Sequence, residues 1–200
     1  MSGFATHRQR VHDVGLTLRA RHASLRTCAV MFAPYGFRAT YHHLCRSAGV
    51  PAVLEADPRS LVRAVEEVHA ARQLWLTDRA AYIAHRRREK AAGQRDPSRG
   101  GPRGTFRGGS GVCLAHCPDP GFHPTDPLPV VVARLLRCEG SASCPACDGQ
   151  EGTTRWNSGY AEHELCARCG ISLGSRPVER DVRVIRERDE RWQAIWRRTA

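Results

Sequence analysis

Two cysteine pairs constrain this chain more than any other feature: Cys144-Pro-Ala-Cys147 and Cys166-Ala-Arg-Cys169, with eighteen residues between them. Each C-x2-C turn presents two thiols on one side, so the two pairs together can surround one ion tetrahedrally. Zinc takes thiolate ligands at about 2.3 Å in that geometry. Four cysteines fill its coordination shell, which suits a structural ion and leaves no open position for a substrate. An iron–sulfur cluster or a redox pair are the alternatives on the same four residues. Gly149 and Gly170 follow the two pairs, where a tight turn favours glycine. Thr153–Asn157 and Glu162–Leu165 are the expected strands between them. Trp156 and Tyr160 either stack on bases or fill the small core between the pairs, and a module this small favours core filling.

Residues 144–170, with these knuckles and glycines, resemble the zinc-ribbon superfamily. That superfamily recurs in transcription factors, polymerase subunits, transposases and many enzymes. The resemblance implies zinc on Cys144, Cys147, Cys166 and Cys169, and leaves the function open because the fold hosts unrelated jobs. Electrostatics narrow the choice. Residues 138–175 carry Arg155 and Arg168 against five acids, a net −3. Four thiolates around a divalent ion make the region more negative still, so it suits structure or protein docking better than phosphate binding. A second metal could use Cys113, Cys117 and Cys138 with His116 or His123, against the alternative of free thiols. The apolar run Val130–Leu136 is expected to be a strand that delivers Cys138 towards the ribbon.

The positive charge lies elsewhere. The net charge is +11, from thirty arginines and one lysine, Lys90, against twenty acids. Residues 85–107 hold seven arginines and Lys90 against Glu89 and Asp96, giving +6 in 23 residues. Arginine matches phosphate geometry, although a GC-rich genome produces the same bias. Arg86, Arg87, Arg88, Arg103 and Arg107 are the candidate nucleic-acid contacts. Positive charge in the last turns of a helix also complements its dipole, so Arg86–Arg88 have a structural explanation as well. Residues 93–111 are rich in Arg and Gly, with Pro102 and Phe106, and are expected to be a flexible linker. Their composition is also that of segments that hold RNA or single strands by charge and stacking.

Residues 1–92 carry helical signals. Val11, Val14, Leu18, Leu25 and Ala29 predict an amphipathic helix over 7–30, weakened by Gly15. Thr40–Val50 is similar to the first helix and turn of a helix-turn-helix, but only Ala52–Ala56 remain after Pro51 for a recognition helix. Asp57-Pro58 then opens a long helix, with Asp57 as its cap. It is expected to reach Ala91–Ala92 and end at Gly93, with a possible break at Thr77-Asp78. His42 and His43 are expected at the surface, and Cys28 and Cys45 as buried thiols. Residues 176–200 form an amphipathic helix whose seam is Val178, Val182, Ile185, Trp192 and Trp196. It docks on the N-terminal helices, or its tryptophans mark a protein partner site.

The expected architecture is mainly α with a small β zinc ribbon, an α+β chain. It divides into a helical region (1–92), a basic linker (93–111), a cysteine-rich ribbon region (112–175) and a C-terminal helix (176–200). No stretch approaches the ~18–20 apolar residues needed to span a bilayer. The basic N-terminus lacks a secretory pattern, so an intracellular protein that meets no membrane is expected. The favoured function is a non-enzymatic zinc protein that associates with nucleic acid, DNA or RNA, or with the transcription machinery. The alternatives are a protein–protein adaptor with structural zinc, and an enzyme with structural zinc. For the enzyme, His163-Glu164 is only a weak echo of a zinc hydrolase motif.

Overall fold

Apolar residues at helical spacing build four helices before Gly93. The computed structural model describes residues 3–94, 112, 114–119, 122–137 and 144–199. The stretch expected as one helix forms two, α1 (Phe4–His12) and α2 (Leu18–Met31). The break is local. The Asp13 carboxylate accepts the Gly15 N–H at 2.9 Å, and Thr17 caps α2 by accepting the Ala20 N–H. Such short side chains compete with the helical ladder and win where glycine weakens it. α3 (Phe37–Ser47) is followed by a single 3-10 turn, Leu54–Ala56, so no recognition helix completes the helix-turn-helix likeness.

α4 (Ser60–Ala91) runs unbroken through Thr77 and Asp78 for 32 residues. The Asp57 carboxylate accepts the Arg59 N–H at 3.1 Å at its start. Gly93, at φ +65, ends it in the left-handed conformation glycine tolerates. Where α1 to α4 meet, Val11, Leu25, Phe32, Leu44, Leu61, Val65 and Val68 are fully buried, and Cys28 and Cys45 are buried beside them.

The run expected as a strand delivering Cys138 is instead α5 (Leu128–Arg137). Leu128, Val131, Val132 and Leu135 are its buried residues, an i, i+3, i+4, i+7 stripe packed on α4. The β-branched valines suit a strand, but burial along one helical face overrides that preference. Next comes an antiparallel sheet of β1 (Thr153–Asn157), β2 (Ala161–Cys166) and β3 (Ser172–Pro177), in that order. Thr153 pairs with Cys166 and Asn157 with Glu162, and a bulge at Glu164/Leu165 interrupts the pairing with β3. The third strand is not expected from the sequence.

α6 (Val182–Thr199) docks on α3, with Trp192 buried and Arg38 placed 6.0 Å over its ring. Val178 precedes this helix, and the Trp196 side chain lies outside the described residues. Val112 and residues 114–117 stitch the parts together. Ala33 N–H bonds the Val112 carbonyl, Cys117 N–H bonds the Tyr35 carbonyl, and Ser172 N–H bonds the His116 carbonyl. The fold is thus α+β and mainly helical. Among the described residues no helix is long and apolar enough to cross a membrane.

Candidate metal centre

The two C-x2-C turns are built alike. In the first, Asp148 N–H bonds the Cys144 carbonyl and Cys144 N–H bonds the Gly149 carbonyl, both at 2.9 Å. In the second, Gly170 N–H bonds the Cys166 carbonyl and Cys166 N–H bonds the Ile171 carbonyl, again both at 2.9 Å. The residue after the last cysteine is left-handed in each turn, Asp148 at φ 56 and Gly170 at φ 70. The first turn therefore places its positive φ on Asp148, not on Gly149. Gly149 is needed for room: a Cβ there would lie 2.9 Å from Arg168 Cδ and 3.1 Å from Cys147 Sγ. At Gly170 a Cβ would meet the Phe122 carbonyl oxygen at 2.6 Å, so conformation and space both call for glycine.

These turns bring Cys144, Cys147, Cys166 and Cys169 together, with their Sγ atoms all within 4.8 Å of one another. The cross-turn separations are 3.5 Å for Cys144–Cys169 and 3.7 Å for Cys147–Cys166. Bonds of about 2.3 Å in a regular tetrahedron require ligand separations of about 3.8 Å, so the cage fits a zinc ion. All four thiols are buried. A hydrogen bond from Cys169, with backbone N–H groups of Ala146 and Cys147, holds Cys144 down to about 5. Burial pushes Cys147 up to about 11, and the shared hydrogen bond with Cys144, then burial, raise Cys169. Thiolate at Cys144 is thus favoured first, and amide donors around sulfur suit a metal-bound thiolate.

Arg134 of α5 fastens the cage to the helices. It reaches Asp126 at 2.5 Å, Asp148 at 2.9 Å and the Ala146 carbonyl at 3.3 Å. Arg168, between the last two ligands, lies against Gly149 and 3.9 Å from Glu151.

The described members of the expected second metal set point to different partners. Cys117 Sγ donates to the Phe122 carbonyl at 2.8 Å, and burial raises its thiol well above the usual range. His123 bonds His42, and His116 lies beside His163 with ring centroids 5.5 Å apart. Among the described residues only the four ribbon cysteines gather at metal-binding distance. Cys113 and Cys138 lie outside the described residues, as do Arg103, Arg107 and most of the 93–111 segment. Arg86 pairs with Glu89 at 2.5 Å, while Arg87 and Arg88 are exposed. Trp156 is half-buried against His163, and Tyr160, expected in the core, is 48% exposed. The hairpin is too thin to cover it.

Sequence reasoning misses a buried histidine cluster. His43, expected at the surface, is 2% exposed. Its Nδ1 donates to the Pro124 carbonyl at 2.8 Å and its Nε2 lies 3.4 Å from Glu67 Oε1. His42 Nδ1 and His123 Nε2 are hydrogen-bonded across 2.7 Å. Burial, then the neighbouring His42, His43 and Arg46, push His123 down to about 4 against a partly offsetting bond to Pro124. Burial would raise Glu67, but bonds from His43, Leu128 N–H and Ser47 outweigh it and hold the carboxyl below its usual range. The signal that could have found the cluster is helical register: His43 lies three residues after Thr40 and one before Leu44, within the buried arc of α3. No known protein family, characterised protein or solved structure matches the chain.

Proposed function

We propose that this is an intracellular zinc-ribbon protein, non-enzymatic, that associates with nucleic acid or the transcription machinery. The observation that carries the zinc is the cage of four buried thiols at tetrahedral spacing. With four protein ligands the ion has no open position, so its work is to hold the two turns together. Reduced thiols in such a cage suit a reducing compartment. Support for nucleic acid comes from the separation of charge, with +6 in residues 85–107 against −3 in residues 138–175. A polyanion would meet Arg87, Arg88, Arg103 and Arg107, with Arg86 held back by Glu89.

Two features bear on the competing readings. Trp192, the anchor an adaptor would use, is buried on α3. His163 and Glu164, the weak enzyme motif, alternate on β2: His163 is buried between Ser158 and Ser172, and Glu164 is exposed and bonded to Thr153. The reading predicts about one zinc per chain by elemental analysis and binding to a labelled duplex or single strand that weakens steeply with salt. Neutralising Arg87, Arg88, Arg103 and Arg107 should flatten the salt slope by about one for each phosphate no longer engaged. A salt-independent complex, or none, sinks the nucleic-acid half; iron with visible absorbance sinks the zinc half.

A further inference from the structure

A cleft of about 560 Å³ opens where four parts of the chain meet. Its walls are the first turn of α3 (Gly36, Phe37, Arg38, Ala39), the segment His116–Pro118, the β1–β2 hairpin with Ser158, Tyr160 and His163, and Arg188 and Trp192 of α6. That size lies within the range of small-molecule sites, which form at such junctions from aromatic walls and a few convergent polar groups. Among the described residues no carboxylate lines it.

The polar groups have a definite chemistry. Arg188 spends part of its fork on structure: Nη1 donates to the Ser158 carbonyl at 3.0 Å, and Nε and Nη2 donate to Asp189 at 3.3 and 3.0 Å. A guanidinium has five N–H groups, so one remains on each terminal nitrogen for an anion. Arg38 lies 3.6 Å from the same Asp189, which therefore sets the two guanidiniums side by side. One carboxylate against two arginines leaves the rim positive. Its sign agrees with that of the amino end of α3, where Gly36 provides no side-chain cap. His116 is exposed at the mouth, and His163 is fixed by both ring nitrogens, 3.2 Å from Ser158 Oγ and 3.3 Å from Ser172 Oγ.

The aromatic side is equally specific. Arg188 lies 5.5 Å over the Tyr160 ring and Arg180 6.0 Å, and Tyr160 is 48% exposed. Aromatic rings and guanidinium planes are the surfaces on which unpaired bases stack. An exposed ring beside two arginines, within a cleft too small for a duplex, matches a flat ring that carries one anionic group. We infer that the cleft holds one nucleoside phosphate unit, its base on Tyr160 and its phosphate at Arg38 and Arg188. This rests on the nucleic-acid reading and sharpens it towards single strands, while a free nucleotide shares the same chemistry.

The test uses the full zinc-loaded chain with labelled oligothymidylate, a labelled duplex and thymidine 5′-monophosphate. Tyr160→Ala should weaken oligothymidylate binding about tenfold, the loss of one stacked base. Tyr160→Phe keeps the stacking face and should stay within about twofold of the parent. Arg38→Ala should lower the salt slope for the single strand by about one. Zinc content and circular dichroism of each variant check that the fold survives. Oligothymidylate bound equally by parent, Tyr160→Ala and Arg38→Ala overturns the cleft site and leaves the nucleic-acid reading standing. The monophosphate bound by the parent but released by Tyr160→Ala, with no polymer bound, keeps the site and overturns the nucleic-acid reading. No binding of polymer or of millimolar monophosphate overturns both.

Discussion

The helical region and the cysteine-held sheet are stabilised by different means, although one apolar cluster runs through both. Among the helices, Val11, Leu25, Phe32, Tyr35, Tyr41, Leu44, Leu61 and Val65 are all excluded from water. In the sheet, Leu165 and Ile171 are the large aliphatic side chains so buried, and β1 and β3 are exposed along nearly their whole length. Full burial of a large aliphatic side chain contributes about 1.5–3 kcal/mol. Ordering each residue costs about 1–2 kcal/mol in backbone entropy alone. Two such side chains cannot hold a three-stranded sheet, so cross-linking through the thiol cage must supply what apolar burial does not. The helices need no such link, and α5 joins the two regions by packing on α4 and holding Asp148 through Arg134.

The sharpest way to break this comparison is to remove the metal. Apparent binding energies of structural zinc are about 10–16 kcal/mol near neutral pH. Chelation, or Cys166→Ser, should therefore unfold residues 144–177 while the helical circular dichroism largely persists. Joint loss of both signals would mean that the helices lean on the cage as heavily as the sheet does.

A smaller effect should fall on the other region. Leu44→Ala removes a fully buried side chain where α3 meets the helical core. It should cost about 2–5 kcal/mol in chemical denaturation, with zinc content unchanged. Zinc loss in this variant would show that the cage takes its geometry from the helices.

Acid sharpens the comparison at the seam between them. His123 titrates near 4 when folded and near 6.5 when unfolded. Between those values the unfolded chain takes up a proton that the folded chain refuses. Stability is therefore complete above about pH 6.5 and falls as pH drops towards 4, by roughly 2–3 kcal/mol. His123→Gln should remove that slope in denaturation midpoints measured across pH. An unchanged slope would assign the acid sensitivity to other groups.

What the sequence disclosed follows the same division. The cage was legible because ligand spacing is a local property: two C-x2-C turns mark a four-thiol metal site without reference to the rest of the fold. The α+β class and the end of α4 at Gly93 were also written in nearby residues, whereas α4 starts at Ser60, three residues past the expected cap at Asp57. Long-range choices were not. Val130–Leu136 suits a strand by residue type, and only the α4 surface it covers makes it a helix. His43 is polar, which favours the surface, yet its Nδ1 donates to the carbonyl of Pro124, distant in sequence, inside the fold. The cleft has no signature in the sequence at all, because its walls come from four segments with no shared motif.

The length of α4 has an electrostatic consequence. Its last buried residue is Trp75, and sixteen further residues follow to Ala91. At 1.5 Å per residue, Arg86 stands about 16 Å beyond Trp75 along the axis. Electrostatic screening at physiological salt extends only about 8 Å. The charged end of α4 is therefore screened from Glu66 and Glu67 near its base, while Glu89, paired with Arg86, answers it locally. Its net sign is set by the residues of its own last turns and by the salt around them.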